Sequence, residues 1–193
     1  MVRGRRVYAQ AKPPKFLRPQ EVQRLFASLS FSYPKDIRNC AMIHLAYFLG
    51  LRPQEISLIT LDDISFSKGE LTVEDRKSSN PIILPIPEDT IKAIAAYIVG
   101  ARPKSQHRRL FFNLAAPYWP ISGAMVGQSI TRCMRKAGLS ATAYWLRHTY
   151  GQNLLESGRS IFEVKEMMGH DKIESTRSYL HVNTKLMREV LFD

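Results

Sequence analysis

The chain has 193 residues, 45% of them hydrophobic, enough for one packed domain and too apolar for global disorder. Its 28 Lys and Arg outnumber its 17 Asp and Glu, for a formal charge of +11, so polyanions are its natural partners and nucleic acid leads them. No apolar run approaches the roughly 20 residues of a membrane span, and no signal-type apolar stretch follows the basic start Met1-Val2-Arg3-Gly4-Arg5-Arg6.

Residues 1–15 read as a basic leader, flexible or ordered only on DNA, in which Lys12 and Lys15 are candidate phosphate contacts. Pro19 opens a helical pattern with Val22, Leu25, Phe26 and Leu29 on one face. Residues 36–49 repeat Ile37, Ala41, Leu45 and Phe48 at helical spacing, and Gly50 is a natural stop. Pro53 starts a short helix through about Leu58. Residues 63–66, 70–74 and 81–86 then read as three short strands, with turns at Ser67-Lys68-Gly69 and Lys77-Ser78-Ser79-Asn80.

Helices resume at Pro87, where Ile91, Ile94, Ala95 and Ile98 form a stripe. Residues 100–121 are irregular. Further helices are expected over about 122–136, 144–156, 173–181 and from about 184. Ser160 and Glu163 form a capping box before Val164, Met167 and Met168. No internal repeat is recognised. The pattern predicts an α+β, mostly helical domain with a small three-stranded antiparallel sheet. Cys40 and Cys133 fall in helix-like apolar patterns and read as buried thiols of a cytoplasmic, DNA-associated protein, not as a disulfide.

Five stretches carry residues suited to phosphate chemistry. Gly50-Leu51-Arg52-Pro53-Gln54-Glu55 places Arg52 at a helix junction, where a guanidinium can present its donors to an anion. Lys77 sits at a strand turn, next to Arg76, where an ammonium can reach into a groove. Tyr144-Trp145-Leu146-Arg147-His148-Thr149 places Arg147 on a helix with Leu146, Tyr150 and Leu154 as its buried positions. Met168-Gly169-His170-Asp171 puts His170 just past a helix end, and Ser178-Tyr179-Leu180-His181 follows nine residues on. Each residue alone fits an ordinary structural role; together and in this order they form a constellation. The five histidines show no metal-ligand spacing, so no metal or cofactor is expected.

In these motifs the chain resembles the tyrosine recombinase family, which includes phage integrases. The matching stretches are Leu49 to Ile56, Leu146-Arg147-His148-Thr149, Met168 to Asp171 and Thr176 to His181, and the resemblance covers roughly residues 16–188. It implies the catalytic-domain fold of that family over residues 16–193. It implies that Arg52 and Arg147 bind the scissile phosphate and that Lys77 protonates the leaving 5′-oxygen. His170 would donate to the phosphate, and Tyr179 would attack to form a 3′-phosphotyrosyl link.

The residue types suit these tasks. Fixed Arg and His donors stabilise charge that develops on phosphate oxygens, and a covalent intermediate conserves the energy of the broken strand without ATP or metal. The family usually has His three residues before the second arginine. Here Tyr144 stands there, as it does in some telomere-resolving relatives, and its hydroxyl can donate to a phosphate oxygen.

The resemblance also implies that the helix over 122–136 enters a major groove, making Gln128, Arg132, Arg135 and Lys136 candidate DNA contacts. The implied partner is double-stranded DNA, bound by a homo-tetramer on paired sites, with a monomer the alternative without DNA. The short leader, in place of the family's additional N-terminal domain, suggests a minimal recombinase or a chain cut from a larger protein. The expected activity is site-specific recombination. A DNA-binding regulator with reduced or lost catalysis is the alternative, as is a telomere resolvase or type IB topoisomerase-like enzyme.

Overall fold

A computed structural model describes residues 15–74 and 81–168. Proline sets the first three helix starts. Its fixed φ suits the first helical turn, and that turn has no use for the N–H it lacks. These helices are α1 (Pro19–Ala27), α2 (Pro34–Phe48) and α3 (Pro53–Leu58). Strands β1 (Ile64–Ser65), β2 (Glu70–Val73) and β3 (Ile82–Pro85) follow, then α4 (Glu88–Gly100), α5 (Gly123–Lys136), α6 (Ala143–Glu156) and α7 (Ile161–Met168). The predicted elements match within about two residues; the helices expected over 173–181 and from 184 lie outside the described residues.

The side-chain chemistry at the caps explains several boundaries. Ser122 Oγ accepts from Met125 N at 3.3 Å to start α5. The predicted box at α7 is formed in both directions: Ser160 N donates to Glu163 Oε2 at 2.8 Å and Glu163 N donates to Ser160 Oγ at 3.2 Å.

One short repetition corrects the reading that the sequence holds no internal repeat. Leu-Arg-Pro-Gln-Glu occurs at residues 17–21 and again at 51–55. Both copies start a helix in the same way, with Pro at the first position and Glu reaching back to the arginine backbone N–H. Those bonds are 2.8 Å for Glu21 and 2.7 Å for Glu55.

The sheet is antiparallel in the order β1-β2-β3. Leu71 pairs with Leu84 on its buried face, while Thr72 pairs with exposed Ile83 on the other, the alternation expected of a sheet with one solvated side. The β2–β3 connection carries Arg76 and Lys77, which lie outside the described residues.

Helix α2 is the centre of the core and packs against α3, α4, α5 and α6. It buries Ala41, Met42, Ile43, Leu45 and Ala46, and also Arg38. A buried guanidinium must be hydrogen-bonded to offset its desolvation. Arg38 Nη1 donates to the Phe112 carbonyl at 2.8 Å, and Phe112 N donates to the buried Tyr97 hydroxyl at 3.2 Å. Arg102 lies 4.8 Å over the Phe112 ring and donates to the carbonyls of His107, Arg109 and Leu110. This network anchors the irregular segment that delivers the chain to α5. Cys40 is buried and Cys133 half-buried; both are free thiols, and Cys133 accepts from Asn39 at 3.5 Å.

Helix α6 departs from the predicted single stripe. Leu146 is buried as expected, but Tyr150 and Leu154 are only half-buried, and Arg147, Thr149, Gln152 and Leu155 are buried. The reason is that α2, α5 and α7 all pack on it, so no single face can be apolar.

Two histidines give the fold a pH dependence. His44 sits edge-on to Phe26 at 5.2 Å and near Phe48 at 5.4 Å. Burial holds its pKa below the ordinary value, with Asp89 opposing the shift. Burial, with the charge of Arg147, also lowers that of His148. An unfolded chain protonates these imidazoles more readily than the folded one. Their contribution is therefore intact above about pH 6.5 and is lost as pH falls through the lower folded values. The thermal midpoint is expected to fall between pH 7 and pH 5, and His44→Phe to flatten that fall. A midpoint unchanged over this window would contradict the assignment. Asp62, Glu88 and Glu163 have lowered pKa values, through hydrogen bonds from Arg108, Lys92 and Ser160 respectively, and act only at more acid pH.

Candidate functional site

The start of α3, the start of α5 and the first turns of α6 converge on one face. Arg52 is the residue that precedes α3, held there by Pro53 and by the back-bond to Glu55. Its side chain is half-buried, and Nη1 donates to Glu55 Oε1 at 2.6 Å. Glu55 is itself buried, at 4% exposure. Its second oxygen, Oε2, lies 3.7 Å from Arg147 Nη1. One carboxylate therefore joins the two arginines that the sequence singles out.

Arg147, also 4% exposed, is held on further sides. Nη1 donates to the Gly50 carbonyl at 2.6 Å and Nη2 to the Met168 carbonyl at the end of α7. A guanidinium so fixed cannot be replaced by a lysine point charge, because the planar fork sets the directions of its donors. The arrangement is a buried, net positive centre built from α3, α6 and the Gly50 turn. Fixed donors of this kind stabilise negative charge at low reorganisation cost.

A groove of about 610 Å³ runs beside this centre. Pro53 and Gln54 of α3 form one wall, Gln128, Arg132 and Arg135 of α5 another, and Thr142 and Tyr144 the third. Gln128, Arg132 and Arg135 are spaced by four and three residues, which places them on one helix face. Lys136 departs from that face and lines a small cavity with Ser28, Asp36 and Cys133 instead. Tyr144 is 55% exposed and lies one turn before Arg147. Lys15 stands 5.7 Å over the Trp145 ring, which brings it to the same end of α6. Thr131 of α5 ties the two helices by accepting from Ala143 N at 3.3 Å.

The structure thus joins Arg52 and Arg147 through Glu55, sets Gln128, Arg132, Arg135 and Tyr144 around one groove, and places Lys15 over Trp145. Lys12, Arg76, Lys77, His170 and Tyr179 lie outside the described residues. Two contributors were missed by the sequence reading. Glu55 stood in a quoted motif without a role; its signal was an acidic residue three places after a helix-start arginine. Gly123 was unremarked. A Cβ there would lie 2.8 Å from Gln54 Cα and 3.0 Å from its N, so only glycine lets α5 close on α3.

The model of the phage integrase family matches residues 15–185. The chain belongs to this family. Tyrosine recombinase XerA of Pyrococcus furiosus is 30% identical over 190 residues, covering 92% of this chain and 61% of its own. Tyrosine recombinase XerD of Halalkalibacterium halodurans is 31% identical over 188 residues, covering 94% and 62%. The chain thus spans about three-fifths of the length of these relatives. The fold is that of the XerH site-specific recombinase, solved as a post-cleavage complex with a palindromic difH substrate. The TM-score is 0.78 at 20% identity, over 93% of this chain and 53% of that one. Among the described residues no helix is long and apolar enough to cross a membrane.

Proposed function

We propose that this chain is a site-specific DNA recombinase that breaks and rejoins strands through a 3′-phosphotyrosyl intermediate. The observation that carries the reading is the joining of Arg52 and Arg147, far apart in sequence, through buried Glu55 beside a cation-lined groove. Residues 16–193 are the catalytic unit, and residues 1–15 a basic leader that contacts phosphates through Lys12 and Lys15.

In this mechanism the Tyr179 hydroxyl gives up its proton to solvent as its oxygen attacks the scissile phosphorus, and the bond from phosphorus to the 5′-oxygen breaks. Lys77 gives its proton to that 5′-oxygen. Arg52 and Arg147 hold the non-bridging oxygens, where charge accumulates. His170 and Tyr144 donate hydrogen bonds to the same oxygens. Attack by a 5′-hydroxyl on the phosphotyrosine reverses the step, so the strand rejoins without ATP. Arg76, Gln128, Arg132 and Arg135 position the duplex, with Gln128 and Arg132 suited to base edges. Double-stranded DNA is the partner, as it is for the XerH recombinase solved with its difH substrate, and a homo-tetramer on two such sites is the proposed working assembly.

The test is incubation with a nicked substrate that traps the covalent state. The wild type should form a protein–DNA adduct, Tyr179→Phe none, and Tyr144→Phe the same adduct roughly a hundredfold more slowly, as for loss of one transition-state donor. Tight binding without an adduct would make the chain a DNA-binding regulator. An unchanged rate in Tyr144→Phe would remove Tyr144 from the site.

A further inference from the structure

Gln54 of α3 lines the groove beside the arginine centre, together with Gln128, Arg132 and Arg135 of α5. It is exposed, and among the described residues its side-chain amide has no hydrogen-bond partner. Its backbone, by contrast, is fixed. Pro53 precedes it, and its carbonyl accepts from Ser57 Oγ at 2.7 Å. An amide offers two donors and an acceptor, and here they stand open to the groove on a rigid helix start.

The approach of α5 sets where that amide sits. A Cβ on Gly123 would lie 2.4 Å from Gln54 Oε1 and 2.8 Å from its Cα, and one on Gly127 would lie 3.8 Å from Pro53. The two glycines give α5 a nearly bare edge, and α3 closes against it until Gln54 rests on the first turn of α5. Gln128 stands five residues beyond Gly123, about 7.5 Å along the helix axis. Gln54 therefore extends the row of Gln128, Arg132 and Arg135 by one more side chain, displaced from Gln128 by roughly two base-pair steps of 3.4 Å.

Charge and hydrogen-bonding capacity say what each member of this row meets. Arg132 and Arg135 bring the positive charge that draws a polyanion into the groove. Gln54 brings none. A phosphate oxygen only accepts, and it leaves the amide oxygen unused. The adenine edge in the major groove shows an acceptor and a donor side by side, and it takes both ends of a glutamine. We propose that Gln54 is a specificity-determining residue that reads an adenine in the major groove, close to the base met by Gln128. The proposal rests on the DNA-cleaving reading above. It divides the start of α3 into two tasks: Arg52 holds the scissile phosphate, and Gln54, two residues on, ties the cleavage point to the sequence beside it.

The experiment selects bound sequences from a library of randomised duplexes, with the full chain. The wild type should enrich one sequence that holds an adenine, preferred about tenfold, at a position that Gln54→Ala relaxes. The rest of the sequence should be unchanged in that variant, and so should the salt dependence of binding, because no phosphate contact is lost. Gln54→Glu, which only accepts, should move the preference there towards cytosine, a change that a merely structural role would not produce. Gln20→Ala is the control. It alters the same place in the other Leu-Arg-Pro-Gln-Glu copy, exposed and outside the groove, and should leave the selected sequence intact. A sequence unchanged in Gln54→Ala, a loss of affinity uniform across all sequences, or a wild type without sequence preference overturns the assignment and leaves the DNA-cleaving reading standing. A wild type that binds no DNA overturns both.

Discussion

Glu55→Ala should lower the stability of the fold by about 3–5 kcal/mol, the cost of leaving a buried charge without its partner. The carboxylate is buried at 4% exposure, and its two oxygens serve Arg52 Nη1 at 2.6 Å, Arg52 N at 2.7 Å and Arg147 Nη1 at 3.7 Å. Its removal takes the carboxylate away from the buried Arg147 guanidinium, whose bonds to the Gly50 and Met168 carbonyls remain, and from the Arg52 side chain. The protein itself supplies the control. Glu21 makes the same back-bond in the same five-residue sequence but is only half-buried, beside exposed Arg18. Glu21→Ala should therefore cost only about 1 kcal/mol, the value of a helix cap. Urea or thermal unfolding of the two variants measures the difference, which should be a thermal shift on the order of 10 °C for Glu55. Equal losses would show that Glu55 is a cap and nothing more.

Gly50→Ala should be damaging for two reasons that can be separated. Gly50 has φ of +61°, and a Cβ there would lie 2.3 Å from Cδ1 of the Tyr150 ring. The backbone conformation costs a non-glycine residue about 1 kcal/mol, and overpacking adds about 1–3 kcal/mol. The consequence for the site is direct, because the Gly50 carbonyl accepts from Arg147 and the next residue but one is Arg52. Gly50→Ala is expected to lose adduct formation on the nicked substrate along with stability. Combining it with Tyr150→Ala removes the clash and leaves the backbone cost. The double variant should thus be less destabilised than the sum of the singles, a coupling of about 1 kcal/mol or more. Additive losses would mean that Tyr150 is not the obstacle.

Both predictions concern one network, which is why they share a readout. Arg147 is fixed by the Gly50 turn, by Glu55 of α3 and by the end of α7. Loss of any of these supports alters the direction of its donors, and transition-state stabilisation depends on that direction. Their effects on cleavage should be far from additive, as for residues that act as a unit.

Much of this was legible in the sequence, and for local reasons. Proline at first helical positions, Ser122 before α5 and the Ser160–Glu163 box set helix starts by bonds that span three residues or fewer. The three short strands followed from turns and alternation. The family motifs nominated Arg52 and Arg147 before any contact between them was visible. What the sequence could not show was burial. Helix α6 offers no single apolar face because three helices cover it, so its buried set was misread at Tyr150 and Leu154. Lys136 shares a polar face with Arg132 and Arg135 by count, yet it turns to a different cavity.

The two copies of Leu-Arg-Pro-Gln-Glu draw the line between the two kinds of information. Five identical residues make the same helix start twice, with back-bonds of 2.8 Å and 2.7 Å. That much is short-range stereochemistry, and the sequence determines it alone. At residues 18 and 21 the arginine is exposed and the glutamate half-buried. At residues 52 and 55 the glutamate is buried and faces Arg147 from another helix. Only the packing of α3 against α5 and the approach of α6 decide which copy becomes a candidate site. A charge acquires this role when distant parts of the chain take it out of water and set a second charge beside it.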